Sequence, residues 1–146
     1  MERPLALVVE AGAEARESAV EALAAAGIEA VAAASGAEAL EALRARPVRI
    51  ALVSADAIGA EPERFVASAT ALRPSLVVVA IAGADGALPS GLLRAGAFEV
   101  EPRFPDPSRL RLVAGRALAQ HDRLEARHPA RGWARMRPGG PCLVGT

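Results

Sequence analysis

Three short apolar runs, Leu5–Val9 (LALVV), Ile50–Val53 (IALV) and Leu76–Ile81 (LVVVAI), constrain the fold more than any other feature. None of them alternates polar with apolar residues, and all favour aliphatic, largely β-branched side chains. A strand with one face in water alternates at period two, so unbroken runs this short read as strands covered on both faces. Two weaker strand candidates are Ile28–Ala33 (IEAVAA) and Phe98–Glu101 (FEVE).

Helical segments with clear punctuation separate these runs. The first, Ala13–Ala26, stops at Gly27, a natural residue for the left-handed turn after a helix. The second starts at Ser35 with Glu38 three residues on, a capping-box pattern, and ends before Pro47. The third spans Pro62–Leu72, with proline tolerated in its first turn and Pro74 beyond its end. A short fourth, Pro89–Ala95, closes on Gly96, and a fifth opens at Asp106-Pro107 and extends to His128.

A strand followed by a helix, five times over, predicts a doubly wound α/β fold: a five-stranded parallel sheet of flavodoxin-like type with helices on both faces. Binding sites in that architecture lie at the C-terminal ends of the strands. Those positions are Glu10, Ser54 and Ala82. The length of 146 residues suits one such domain, residues 1–128, followed by a Pro/Gly/Arg-rich tail, residues 129–146.

Bulk composition excludes some functions and leaves others open. All 17 basic residues are Arg, and the formal net charge of zero gives no global case for nucleic acid or membrane. The charge is nevertheless uneven: residues 1–102 carry 8 Arg against 14 acids, and residues 103–146 carry 9 Arg against 3. A basic C-terminal part either contacts a partner or folds back on the acidic half. A lone Cys142 cannot form an internal disulfide, no run is long enough to span a bilayer, and the start MERPLALVVEAG lacks a signal-peptide plan. A cytoplasmic location is expected.

The segments ALVVEAG, GIEAVAAASGAEALEALRARP and LRAGAFEVEPRFPDPSRL, in this order and spacing, carry a resemblance. Over about residues 4–122 the chain resembles the receiver domains of bacterial two-component response regulators. The resemblance implies a site of acids after the first strand and an Asp ending the third, which bind Mg²⁺ and accept a phosphoryl group. A hydroxyl residue after the fourth strand and a Lys after the fifth then hold the phosphate.

Set against that pattern, the site is altered. Counting without gaps from Gly36 places Ser54 at the phosphoacceptor position. Glu10 keeps a carboxylate at the acidic pair, but Ala11 does not. Ala82 stands at the hydroxyl position and Arg103 at the Lys position, with Phe104 between it and the displaced Pro105. Mg²⁺ demands near-octahedral oxygen ligands, and charge neutralisation drives phosphoryl transfer, so this set is a poor one for either. Asp56 is the alternative phosphoacceptor, if a two-residue extension of the third strand brings it to the crest. Arg103 either binds an anion or pairs with Glu10, or else is a solvated side chain.

Other enzyme classes find no support. Ser54 lacks a G-x-S-x-G elbow, and neither a Gly-rich phosphate loop nor a dinucleotide fingerprint is present. No catalytic residue, metal or cofactor is therefore expected.

The last helix carries a stripe of Leu110, Ala114, Ala117, His121, Leu124 and His128, a face to pack on the sheet whose far half is long enough to pair with a second copy. His121 and His128 are seven apart, the wrong spacing for a metal pair on one helix. In the tail, Arg131, Trp133, Arg135 and Arg137 interleave charge with an aromatic, which suits nucleic acid. The leading expectation is a receiver-like signalling module that has lost its phosphoacceptor and binds a protein through its last strand and flanking helices. The alternatives are a response regulator phosphorylated on Asp56 and a nucleic-acid-binding accessory acting through the tail.

Overall fold

A computed structural model describes residues 3–59, 62–83 and 95–127 of the chain. The expected helix Pro89–Ala95, apart from Ala95, together with His128 and the tail 129–146, lies outside the described residues. Five strands form one parallel sheet: β1 (Leu5–Val9), β2 (Glu29–Ala33), β3 (Ile50–Ser54), β4 (Val77–Ile81) and β5 (Glu99–Glu101), in the order β2-β1-β3-β4-β5. The described helices are α1 (Ala13–Ala25), α2 (Gly36–Ala45), α3 (Pro62–Leu72) and α4 (Pro107–Arg127).

Successive residues of the central strands feed opposite sides of the sheet, because strand side chains alternate faces. On one side Leu7, Val9 and Val53 pack with Leu43 of α2 and Phe65 and Val66 of α3. On the other, Val8, Leu52 and Val79 pack with Leu23 of α1 and Val113 and Ala117 of α4. Every residue of β1, β3 and β4 is buried, as their unbroken apolar runs require. Leu7, Leu23, Leu43 and Leu52 are fully enclosed, each worth about 1.5–3 kcal/mol relative to exposure.

Helix punctuation follows local chemistry. Gly27 takes φ +84°, its amide bonds the Ala24 carbonyl and the Ile28 amide bonds the Leu23 carbonyl, the paired closure of a glycine-ended helix. Ser35 Oγ accepts from the Glu38 amide at 3.3 Å, while Glu38 Oε1 accepts from the Ala34 amide at 2.9 Å. The expected capping box is thus present, displaced by one residue on its return bond.

Four strand boundaries differ by one residue from the sequence expectation: β3 runs on to Ser54, β4 starts at Val77 and not Leu76, and the starts of β2 and β5 each move one residue on. Ile28 belongs to the closure of α1 and β2 starts at Glu29. Phe98, whose amide bonds the Val78 carbonyl, stands just before β5 and is 37% exposed. The edge strand is short and two of its three side chains are charged, which blunts an otherwise open row of backbone groups.

Candidate functional site

The sheet order reverses between β1 and β3, and the crest beyond their C-terminal ends is the expected crevice. A cleft of about 410 Å³ lies there, and its walls include Glu10, Ser54, Asp56, Ala82, Arg103 and Phe104. Five of the six candidate positions therefore converge. Ala11 does not line the cleft; it is exposed, and its carbonyl accepts from Arg16 Nη1 at 3.2 Å.

Ser54 is the last residue of β3, paired with Ile81 and only 4% exposed. Its burial follows from ending a run that is covered on both faces. Ala82 is likewise buried, and its amide donates to the Glu101 carbonyl at 2.9 Å, carrying the β4–β5 pairing up to the cleft.

Glu10 has a structural task. Its amide donates to the Ala33 carbonyl at 3.0 Å and its carbonyl accepts from Arg16 Nη1 at 2.8 Å. Its Oε2 accepts from the Gly12 amide at 2.8 Å, at the residue that opens α1. Gly12 has no side chain to cap the helix, so the Glu10 carboxylate supplies the negative charge that a helix N-terminus favours. That role accounts for an acid at position 10 with no metal in the argument.

Asp56 lines the cleft without the two-residue extension of β3 that the alternative reading invoked. β3 stops at Ser54, and residues Ala55–Ala57 form a single 3₁₀ turn in which Asp56 is exposed. A tight turn, not an extended strand, sets its direction. Arg103 is exposed at the rim, and no ion pair joins it to Glu10 among the described residues.

These donors do not fit Mg²⁺. The cleft offers the carboxylates of Glu10 and Asp56 and one hydroxyl, one Glu10 oxygen is already engaged, and position 11 offers only a methyl group. Among the described residues, no group of three or more His, Cys, Asp or Glu stands close enough to hold a metal. Where the resemblance implies the carboxylate that ends the third strand and the hydroxyl after the fourth stand a hydroxyl and a methyl group, and of the groups implied for the phosphate only the Arg103 guanidinium suits an anion.

Beside the cleft lies an arrangement that sequence reading missed. Glu101, buried in the edge strand, receives Arg109 Nε on Oε1 at 3.1 Å and Arg109 Nη2 on Oε2 at 2.9 Å. Glu99 is joined to Arg116 and, at 3.6 Å, to Arg109. The Arg109 hydrogen bonds hold the Glu101 carboxyl below its usual range, against the opposing effect of burial. Arg109 is correspondingly raised, chiefly by its bond to Glu101. The signal was available: two acids two apart on a strand, then two Arg seven apart on the next helix, both pairs sharing a face.

The far half of the α4 stripe is also used internally. His121 Nδ1 donates to the Ser75 carbonyl at 2.8 Å, and Leu124 packs against the core. No described helix is long and apolar enough to cross a membrane.

No protein-family model matches the chain, and no curated protein sequence matches it. Solved structures do. A CheY-like receiver domain protein from Methanospirillum hungatei JF-1 is 21% identical with a TM-score of 0.75, over 84% of this chain and 98% of that one. The receiver domain of NtrX from Brucella abortus is 26% identical with a TM-score of 0.66, over 78% of this chain and 98% of that one. In a longer NtrX chain, crystallised with ATP, the match spans 30% of that chain. A protein named adenylate cyclase from Rhodopirellula baltica, 17% identical, shares the fold with a TM-score of 0.76 over 88% of this chain and 96% of its own. Strand order, helix placement and these likenesses agree: the chain has the receiver-domain fold of the CheY-like response regulators.

Proposed function

We propose that this chain is a signalling module of two-component type whose phosphoacceptor site has been lost and which acts by binding another protein. The observation that carries the reading is Ser54, buried at the crest of β3 with Ala82 beside it in one cleft. Acyl-phosphate chemistry needs a carboxylate there, metal beside it and a hydroxyl and cation to hold the product. Here the crest presents a hydroxyl, a methyl group and a guanidinium.

The partner-binding face in this reading is β5 with its flanking helices. Exposed Phe98 before β5 and Leu112 on α4, 52% exposed, supply apolar anchors, and the Glu101–Arg109 pair holds strand to helix. A rigid face costs less entropy on association than one that must be ordered. A second copy of the chain is the competing occupant, read by molar mass in solution.

Intact mass after incubation with acetyl phosphate and Mg²⁺ tests the loss of chemistry. An unchanged mass supports it, and a phosphate adduct overturns it. One observation favours a second reading: Asp56 lines the same cleft as Ser54. If an adduct forms and Asp56→Asn abolishes it, the chain is a phosphorylatable regulator using the turn after β3. For the partner face, Phe98→Asp should abolish co-purification of a partner that wild-type protein retains. A nucleic-acid role through the tail predicts duplex binding that weakens with salt and disappears on truncation at Pro129.

A further inference from the structure

We propose that the chain's own C-terminal tail docks in a groove at the opposite end of the sheet from the crest, with Trp133 as its anchor. The groove lies where β3 and β4 begin, has a volume of about 410 Å³, and is walled by the loops 47–49 and 72–76 and by the far half of α4. Clefts of about 300–1,000 Å³ hold small molecules, so this one has room for a single aromatic side chain.

The groove is formed before anything enters it. His121 Nδ1 on α4 donates to the Ser75 carbonyl at 2.8 Å, which fixes the helical wall against the loops. Among the loops, Val77 donates to the Arg49 carbonyl at 3.1 Å and Arg73 Nη2 to the Arg46 carbonyl at 2.9 Å. Filling a surface already held in place costs little ordering entropy. Three large apolar side chains stand exposed among the described residues. Phe98 and Leu112 belong to the β5–α4 face, whereas Leu72, 37% exposed, lines this groove beside exposed Pro74.

The two walls carry opposite charge. Arg49 and Arg73 line the loop side with Leu72 and Pro74, and Asp122 and Glu125 line the helical side. A guanidinium among apolar groups suits the face of an aromatic ring, Trp above all. An acidic wall suits cations. The tail, residues 129–146, holds three Arg, no acid and the only Trp of the chain, with Arg131 and Arg135 two residues either side of Trp133. An indole on the loop wall with Arg on the helical wall satisfies both surfaces.

The tail also leaves the fold at the right place. The described part of α4 ends at Arg127, and Asp122 lies about 7.5 Å back along the same helix. Six residues separate Arg127 from Trp133 and span up to about 20 Å, and Pro129 and Gly132 suit a reversal of direction. Tethering sets the effective concentration of this segment on the order of millimolar, which favours it over the tail of a second copy.

Trp fluorescence of the full chain tests this, because with one Trp and no Tyr it reports on residue 133 alone. Emission should lie to the blue of that of the free peptide 128–146, and acrylamide should quench it several-fold less. Neither property should depend on protein concentration. Leu72→Arg replaces an exposed apolar contact with a repelling charge and should move both to the peptide's values. Asp122→Arg, at an exposed helix position, should shift them in the same direction and serves if Leu72→Arg fails to fold. Phe98→Asp, on the other face, should leave them as in wild type. Peptide-like emission in wild type leaves the groove to another molecule and overturns the proposal. So does a blue shift that appears only as concentration rises, which assigns the tail to a second copy. A blue shift that survives both groove variants, or that Phe98→Asp abolishes, places Trp133 elsewhere and overturns it equally.

Discussion

Arg109 closes on Glu101 with two parallel hydrogen bonds, Nε to Oε1 at 3.1 Å and Nη2 to Oε2 at 2.9 Å, across eight residues of chain. The two ends of this pair differ in exposure: the Glu101 side chain is 5% exposed and that of Arg109 45%. Removing one partner of such a pair is costly mainly through the charge left behind.

The two single substitutions are therefore unequal. Glu101→Gln keeps the shape and leaves Arg109 able to turn to solvent, at a cost of about 1 kcal/mol. Arg109→Met leaves a buried carboxylate without its main partner and should destabilise the protein more. Urea denaturation of both variants at neutral pH measures the order, and equal losses would show that burial of Glu101 carries no penalty.

The same pair sets an acid limb of stability. Its folded-state carboxyl titrates below the ordinary 4.5, so the unfolded chain takes up the proton first as pH falls. The stabilisation is complete above 4.5 and is lost progressively below it, toward the folded-state value. Melting temperature followed downward from pH 6 should fall more steeply in wild type than in Glu101→Gln, which lacks the titrating group.

What could be read from sequence follows from how local each cause is. The apolar runs of β1, β3 and β4 admit little but doubly covered strands, and Gly27, Ser35 and Pro62 mark helix ends through chemistry confined to a single turn. The convergence of Glu10, Ser54 and Ala82 followed from strand order and the rule that places sites at strand ends, while Arg103 was expected there only through the resemblance. The turn that carries Asp56 was not legible, because nothing in SADA distinguishes a strand that continues from one that turns into a 3₁₀ helix. Glu101 and His121 depended on partners eight and 46 residues away, so their roles emerge only once α4 lies across the sheet.

Glu10 should behave as a helix cap, not as a metal ligand. Glu10→Ala removes the acceptor of the Gly12 amide and should cost about 0.5–1 kcal/mol. Glu10→Gln keeps an acceptor oxygen and should lose only the charge contribution. In both variants and in wild type, millimolar Mg²⁺ should leave the melting temperature unmoved. A Mg²⁺ stabilisation seen in wild type and lost in Glu10→Gln would reassign the residue to metal binding.

Ser35 caps α2 through the Glu38 amide, and α2 in turn places Leu43 in the core. Ser35→Ala should cost about 1 kcal/mol, and Ser35→Asp should retain most of the stability because a carboxylate serves the same amide. Thermal denaturation of the two variants distinguishes a cap from a residue that merely precedes the helix.

The last prediction concerns the crest itself. Ser54 is surrounded by Val53, Ile81 and Ala82, and a carboxylate placed there gives up solvent without gaining a hydrogen-bonding shell. Ser54→Asp should therefore destabilise the fold by about 1–3 kcal/mol at neutral pH. Burial raises the folded-state pKa of such a carboxyl, so the deficit relative to wild type should shrink as pH falls toward 5 and the group protonates. With no carboxylate at position 11, the single variant should gain no Mg²⁺ dependence and no phosphate adduct. The Ala11→Asp, Ser54→Asp double variant joins two new carboxylates to Glu10, and Mg²⁺ should then raise its melting temperature through binding to the folded state alone. If Ser54→Asp by itself binds Mg²⁺ and accepts phosphate, then Glu10 and Asp56 already supply an adequate metal site, and the loss of chemistry rests on residue 54 alone.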